Sequence, residues 1–241
     1  MVADERRAQR AERILDVAAE LILSWGSRRV TIDEVAKRAG VGKGTVYLHW
    51  KTRDALFHGV VLRESVAVLD RLIAAMRADG AEILPHRLAS RTFSLSMRHP
   101  LLVALLTRDA DVLDRLVEHD PAETEARLRE TRDYLEILRA HRLIRTDVAL
   151  DAQLYTMQVV TSGASLVEPW LPAALDLDLD AKADTVAQVI RASIGLAEPP
   201  DPAALRAAAP LVIARFEELR TRYAAVVHDG AAAEVSHTGS N

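Results

Sequence analysis

The sequence predicts an all-α protein, on three observations. Strand-type alternation is hard to find anywhere, no proline occurs before Pro85, and three of the ten glycines cluster at 40, 42 and 44. The first 84 residues therefore read as helical material with one sharp turn. Beyond them proline marks helix boundaries, at Pro85, Pro100, Pro121, Pro169, Pro172 and the cluster Pro199, Pro200 and Pro202.

The first helix carries Ile14, Ala18, Leu21, Ile22 and Trp25 on one face, with charged residues opposite and Gly26 as the stop. The second begins at Thr31, whose hydroxyl caps the helix while Glu34 reaches back, a Thr-x-x-Glu capping box; its inward face is Ile32, Val35, Ala36 and Ala39. Ala39-Gly-Val-Gly42 breaks that helix, and a short third segment runs from Lys43 to Trp50. Two short helices around a glycine-containing turn make a helix-turn-helix. A long amphipathic stretch from Arg53 towards Met76 (Leu56, Val60, Leu69, Leu72, Ile73, Met76) then serves as a connecting helix. Further helices are expected at about 86–98, 100–107, 121–142, 149–168, 181–196 and 203–227, with Asp120-Pro-Ala-Glu123 as one cap. The stretch 228–241 reads as a disordered polar tail.

Composition narrows the functions open to this chain. With no cysteine among 241 residues there is no disulfide scaffold, zinc ribbon, iron–sulfur cluster or thiol nucleophile. An apolar share of 49% against 27% charged is that of a globular protein. The opening residues lack the apolar run of a secretory signal, and the longest uncharged stretch, Ala152 to Val167, contains Gln, Ser and Thr. A soluble cytoplasmic protein without a membrane partner is expected. The net charge of −4 divides into +3 over residues 1–60 and −7 over the remainder, so a basic end sits on an acidic body.

The segment from Thr31 to Leu56, TIDEVAKRAGVGKGTVYLHWKTRDAL, resembles the DNA-binding domain of the tetracycline-repressor (TetR) family of bacterial regulators. Upstream, Arg13-Ile-Leu-Asp-Val-Ala-Ala-Glu-Leu and Trp25-Gly extend the resemblance over roughly residues 8–62. In the expected recognition helix, Val46 and Trp50 face the core while Lys43, Thr45, Tyr47 and His49 project towards a groove. Lys43 and Thr45 are the candidates for base-edge contact. The resemblance implies that Tyr47, His49 and Lys51 bind phosphate, with Thr31 and the N–H groups of the second helix taking another. Arg53 and an N-terminal arm bearing Arg6, Arg7 and Arg10 are further backbone or minor-groove candidates. Gly42 departs from the family pattern, where Ser is common, so a cap on the third helix is missing.

Gly40-Val-Gly-Lys-Gly-Thr45 superficially suggests a phosphate-binding loop, but Gly44 separates Lys43 from Thr45 and a capped helix precedes it rather than a strand. No His-Glu-x-x-His occurs, the eight histidines form no close pair at metal-ligand spacing, and Gly163-Ala-Ser165 lacks the closing glycine of a nucleophile elbow. No enzyme activity, cofactor or metal is expected.

The resemblance implies a division into a helix-turn-helix domain at 1–52 and a helical ligand-binding and dimerisation domain at 53–227. It further implies a homodimeric repressor on double-stranded operator DNA of palindromic sequence, released by an unknown small-molecule effector. Candidate pocket residues are Phe93, Met97, Leu105, Tyr134, Leu138 and Met157. The segment His141–Asp147 and the helices at 149–168 and 181–196 resemble the family's last loop and dimerising helices, with Val186, Val189, Ile190 and Ile194 as the interface stripe. The competing reading is a helical small-molecule-binding protein or enzyme whose N-terminal helices merely pack.

Overall fold

The computed structural model describes residues 2–103, 121–172, 175 and 177–228. Among them every regular element is helical: α1 Val2–Trp25, α2 Ile32–Arg38, α3 Lys43–His49, α4 Arg53–Ala78, α5 Pro85–Met97, α6 Pro121–Ala140, α7 Leu150–Leu166, α8 Leu179–Ile194 and α9 Pro202–His228. Short 3-10 turns lie at Ser27–Arg29, Gly80–Ile83 and Glu168–Trp170. Leu105, the cap at Asp120 and residues 229–241 lie outside the described residues, as does most of the helix expected at 100–107.

Two compact units are present. Of the described residues, the first comprises 2–67, 100–103 and 220–228; the second comprises 68–99 and those between 121 and 219. In the first, Ile14, Leu15, Ala18, Leu21 and Ile22 of α1 are buried with Val35 and Ala36 of α2, Val46 of α3, Trp50, and Leu56, Phe57 and Val60 of α4. Val227, near the end of α9, joins the same core. Trp25 does not, contrary to the periodicity of α1. It is the last residue of its helix, where Gly26 turns away at φ +77°, and its indole is exposed beneath the Arg38 guanidinium, 5.6 Å from the ring centre.

Local chemistry sets the helix-turn-helix. Thr31 Oγ1 accepts the Glu34 N–H at 3.2 Å and so begins α2. At the other end the Gly40 N–H donates to Lys37 O at 3.3 Å and the Val41 N–H to Ala36 O at 3.0 Å, a Schellman closure. It needs a left-handed residue, and Gly40 supplies φ +66°. Gly42 precedes α3 with no side-chain cap, as its departure from Ser implied. Thr52 Oγ1 accepts the Ala55 N–H at 3.0 Å and opens α4.

In the second unit, α5 and α8 form the most extensive helix pair among the described residues, burying Leu88, Ala89 and Phe93 against a unit core that includes Ala183, Val186, Ile190 and Ile194. This corrects the expected interface stripe. Val186, Ile190 and Ile194 are buried within their own chain because α8 turns its apolar face onto α5, and only Val189 of the four is exposed. α9 continues through Pro210, which lies inside the helix expected at 203–227 and is exposed to solvent there.

The loop between α6 and α7 is fastened by a polar knot. Arg139 donates to Val148 O at 2.8 Å, Thr146 O at 3.2 Å and Gln153 Oε1 at 2.9 Å. Fully buried Gln153 in turn donates to Arg145 O at 2.7 Å, and the Arg145 N–H donates to Ile194 O at 3.1 Å. Arg142 closes α6 with φ +55°, in a position that usually holds glycine.

Candidate nucleic-acid interface

Helix α3 is held from one side. Val46 and Trp50 are buried, as expected, and so is His49, only 4% exposed. The expectation that His49 projects towards a groove is therefore corrected: it lies three residues from Val46 on a 3.6-residue helix and shares its inward face. Its ring is tilted against Trp50 at a centroid distance of 5.3 Å, and Nδ1 has no hydrogen-bond partner among the described residues. Burial, reinforced by the charges of Arg7 and Arg10, lowers its pKa and keeps it neutral near pH 7.

The other expected contact residues take varied positions. Tyr47 and Lys51 are exposed and Thr45 is half-buried. Lys43 is exposed, but its ammonium lies 2.9 Å from Asp33 Oδ2 on α2. That hydrogen bond and the carboxylate charge raise its pKa. Arg53 is half-buried, its guanidinium 5.2 Å from the Phe57 ring centre and 3.7 Å from Asp54. Thr31 is exposed and engaged in the cap already described. Arg6, Arg7 and Arg10 stand on α1, which is helical from Val2, so the expected arm is a helix extension. Sequence reasoning missed Leu48, whose 64% exposure is the highest of any large apolar residue on α3. Its spacing from Val46 carried that information.

In the second unit Phe93, Tyr134, Leu138 and Met157 are buried and Met97 is half-buried. The Tyr134 hydroxyl donates to Ile83 O at 2.8 Å and its ring meets Phe216 edge-on at 6.3 Å. Burial pushes the Tyr134 hydroxyl pKa well up. An open cavity of about 650 Å³ lies elsewhere in this unit, lined by Arg145, Gln188, Arg191, Ala192, Gly195, Leu196 and Ala197. None of the expected pocket residues lines it. Among the described residues no group of three or more His, Asp or Glu side chains could hold a metal ion, and no helix is long and apolar enough to cross a membrane.

Residues 14–60 match the model of the tetR family of bacterial regulatory proteins. The HTH-type transcriptional regulator AlkX of Mycobacterium tuberculosis is 28% identical over 107 residues, 44% of this chain and 51% of that protein. The chain thus spans about half the length of that curated relative. A TetR-family regulator from Mesorhizobium loti superposes with a TM-score of 0.57 at 21% identity, covering 79% of this chain and 99% of that one. A transcriptional regulator from Saccharomonospora viridis, solved with choline, gives 0.56 at 17% identity over 78% of this chain and 99% of its own. At such identities the likeness establishes the fold: a helix-turn-helix domain followed by a helical C-terminal domain. Residues 14–60 thus carry a helix-turn-helix that matches the tetR family of bacterial regulatory proteins.

Proposed function

We propose that this protein is a homodimeric transcriptional repressor that binds a palindromic operator and leaves it when a small molecule occupies the helical body. The observation that carries the reading is the disposition of α3. Its inner side is anchored by Val46 and Trp50, and its opposite side is open to a groove, with Tyr47 and Lys51 exposed beside it for phosphate. The functional division falls at residue 52, where Thr52 caps α4. Thr31, Lys43, Thr45 and Arg53 complete the DNA-contacting set. His49 acts from inside, by seating Trp50.

Dimerisation is assigned to the exposed faces of α7 and α8. Tyr155 is 71% exposed, Val159 50% and Leu166 44%, at helical spacing on α7, while Val189 is exposed on α8. Charged side chains are scarce along that face, as association requires. The solved relative that holds choline supports a small-molecule effector as a class. Phe93, Met97, Tyr134, Leu138 and Met157 stay candidates for lining its site. α4 is one unbroken helix from Arg53 to Ala78, suited to passing a change in the body to the reading head. By population-shift logic the effector must bind the DNA-incompetent conformer more tightly.

The test is a gel shift of the full chain on DNA from its own upstream region, across a salt series. Sequence-specific, salt-sensitive retardation that a Lys43→Ala/Tyr47→Ala variant abolishes supports the proposal. Absence of retardation on every genomic fragment overturns it.

A further inference from the structure

We infer that Leu48 is a sequence-reading residue of α3, and that it reads by packing on the C5-methyl group of a thymine in the major groove. The inference rests on the DNA-binding reading above and names the chemistry of its recognition.

The geometry of a seven-residue helix decides which side chains can meet base edges. Val46, His49 and Trp50 fix the inward direction. Gly44 and Leu48 stand two residues before and two after Val46, hence about 200° around the axis either way. They form the outermost stripe, one helical turn apart. A Cβ built on Gly44 meets nothing within 4 Å, so that part of the helix is bare backbone facing open space. Leu48 therefore stands alone at the centre of the exposed face, 64% exposed.

The polar candidates lie to the sides. Lys43 is drawn towards α2 by Asp33, with a separation of 2.9 Å. Thr45 is half-buried on one flank and Tyr47 is exposed on the other. A helix that presents its apolar residue centrally and its hydrogen-bonding residues laterally matches a groove floor offering a methyl group. Of the four bases only thymine offers one in the major groove of unmodified DNA. The cations Lys43 and Lys51 near this face favour a polyanionic partner over a protein one.

The full-length protein is used to select binding sites from a pool of random duplexes, and each thymine of the selected site is then replaced singly by uracil, which lacks only the methyl. Wild type should lose about three- to five-fold in affinity at one position per half-site, the effect of one buried methyl. Leu48→Ala, a surface truncation whose thermal midpoint should match wild type, should bind the thymine and uracil versions of that position equally. Uracil sensitivity that persists unchanged in Leu48→Ala overturns the inference, as does a selected site with no uracil-sensitive position. So does a Leu48→Ala variant altered only in oligomeric state, which would make the residue a protein contact. If wild type selects no sequence, the DNA-binding reading itself falls and takes this inference with it.

Discussion

The indole of Trp50 occupies the space that a side chain at Gly59 would need: a Cβ there would come within 2.7 Å of Nε1. The two residues lie on the same core, and Leu15 Cδ2 stands 3.5 Å from the same point. Gly59 is mid-helix, so Gly59→Ala gains up to about 1 kcal/mol of helix propensity. Overpacking against a buried ring costs about 1–3 kcal/mol, and the clash should win. We expect a net loss of stability in urea unfolding, with weaker DNA binding as Trp50 displaces α3. A more stable Gly59→Ala variant would show that the indole yields freely.

Asp33 restrains Lys43, and releasing it should change binding rather than folding. Both side chains are well exposed, so the ion pair adds little to stability. Asp33→Asn removes a negative charge beside the expected phosphate path and frees the ammonium. Affinity for DNA should rise, and the slope of log K against log salt should steepen by about one. An unchanged slope in a filter-binding salt series would mean that Lys43 makes no phosphate contact even when free.

His49 makes the head acid-sensitive. Burial, with help from Arg7 and Arg10, holds its pKa below the ordinary 6.5 in the folded state. Between the two values the unfolded chain binds the proton and the folded one does not, so stability falls as pH drops through that window and is full above 6.5. His86 is lowered similarly by burial in the second unit. Unfolding free energies measured from neutral pH down to about pH 5 should decline less steeply in His49→Gln than in wild type. An identical pH slope in the variant would assign the acid sensitivity elsewhere, and His86→Gln then locates it.

Arg142 occupies left-handed backbone at the end of α6, where an L side chain costs about 1–2 kcal/mol. Arg142→Gly should relieve part of this, offset by the added freedom of glycine in the unfolded chain, for a net gain of about 0.5–1 kcal/mol. Calorimetry reads it as a higher thermal midpoint. A lower one would show that the arginine side chain makes contacts worth more than the strain.

How much of this was legible in sequence follows from what each signal measures. Helical spacing reported which residues of α1 and α4 face a core, because burial of a helix follows its own period. It erred at Trp25, where the helix ends, and could not say what the α8 stripe packs against: the same Val186, Ile190 and Ile194 would serve a dimer or a subunit core equally well. The turn at Gly40 was legible because a left-handed residue after a helix demands glycine. Residue type misled at α3. His49 is polar and Leu48 apolar, so residue type alone points the first outward and gives the second no role, whereas the helical period around Val46 assigns both the other way. Capping at Thr31 was plain, while the Arg139 knot joins that guanidinium to the Gln153 side chain fourteen residues on and to the backbone oxygens of Thr146 and Val148, for which no sequence pattern exists.

The Arg139 knot has a consequence for how salt acts on this molecule. Its guanidinium is held by the carbonyl oxygens of Thr146 and Val148 and the amide oxygen of Gln153, all of them neutral dipoles. Dissolved ions screen pairs of opposite charges far more than they screen a charge seated among short, partly buried dipoles. The loop between α6 and α7 is thus an electrolyte-tolerant clasp, so added salt leaves this junction of the body fastened while it loosens the exposed ion pairs around it.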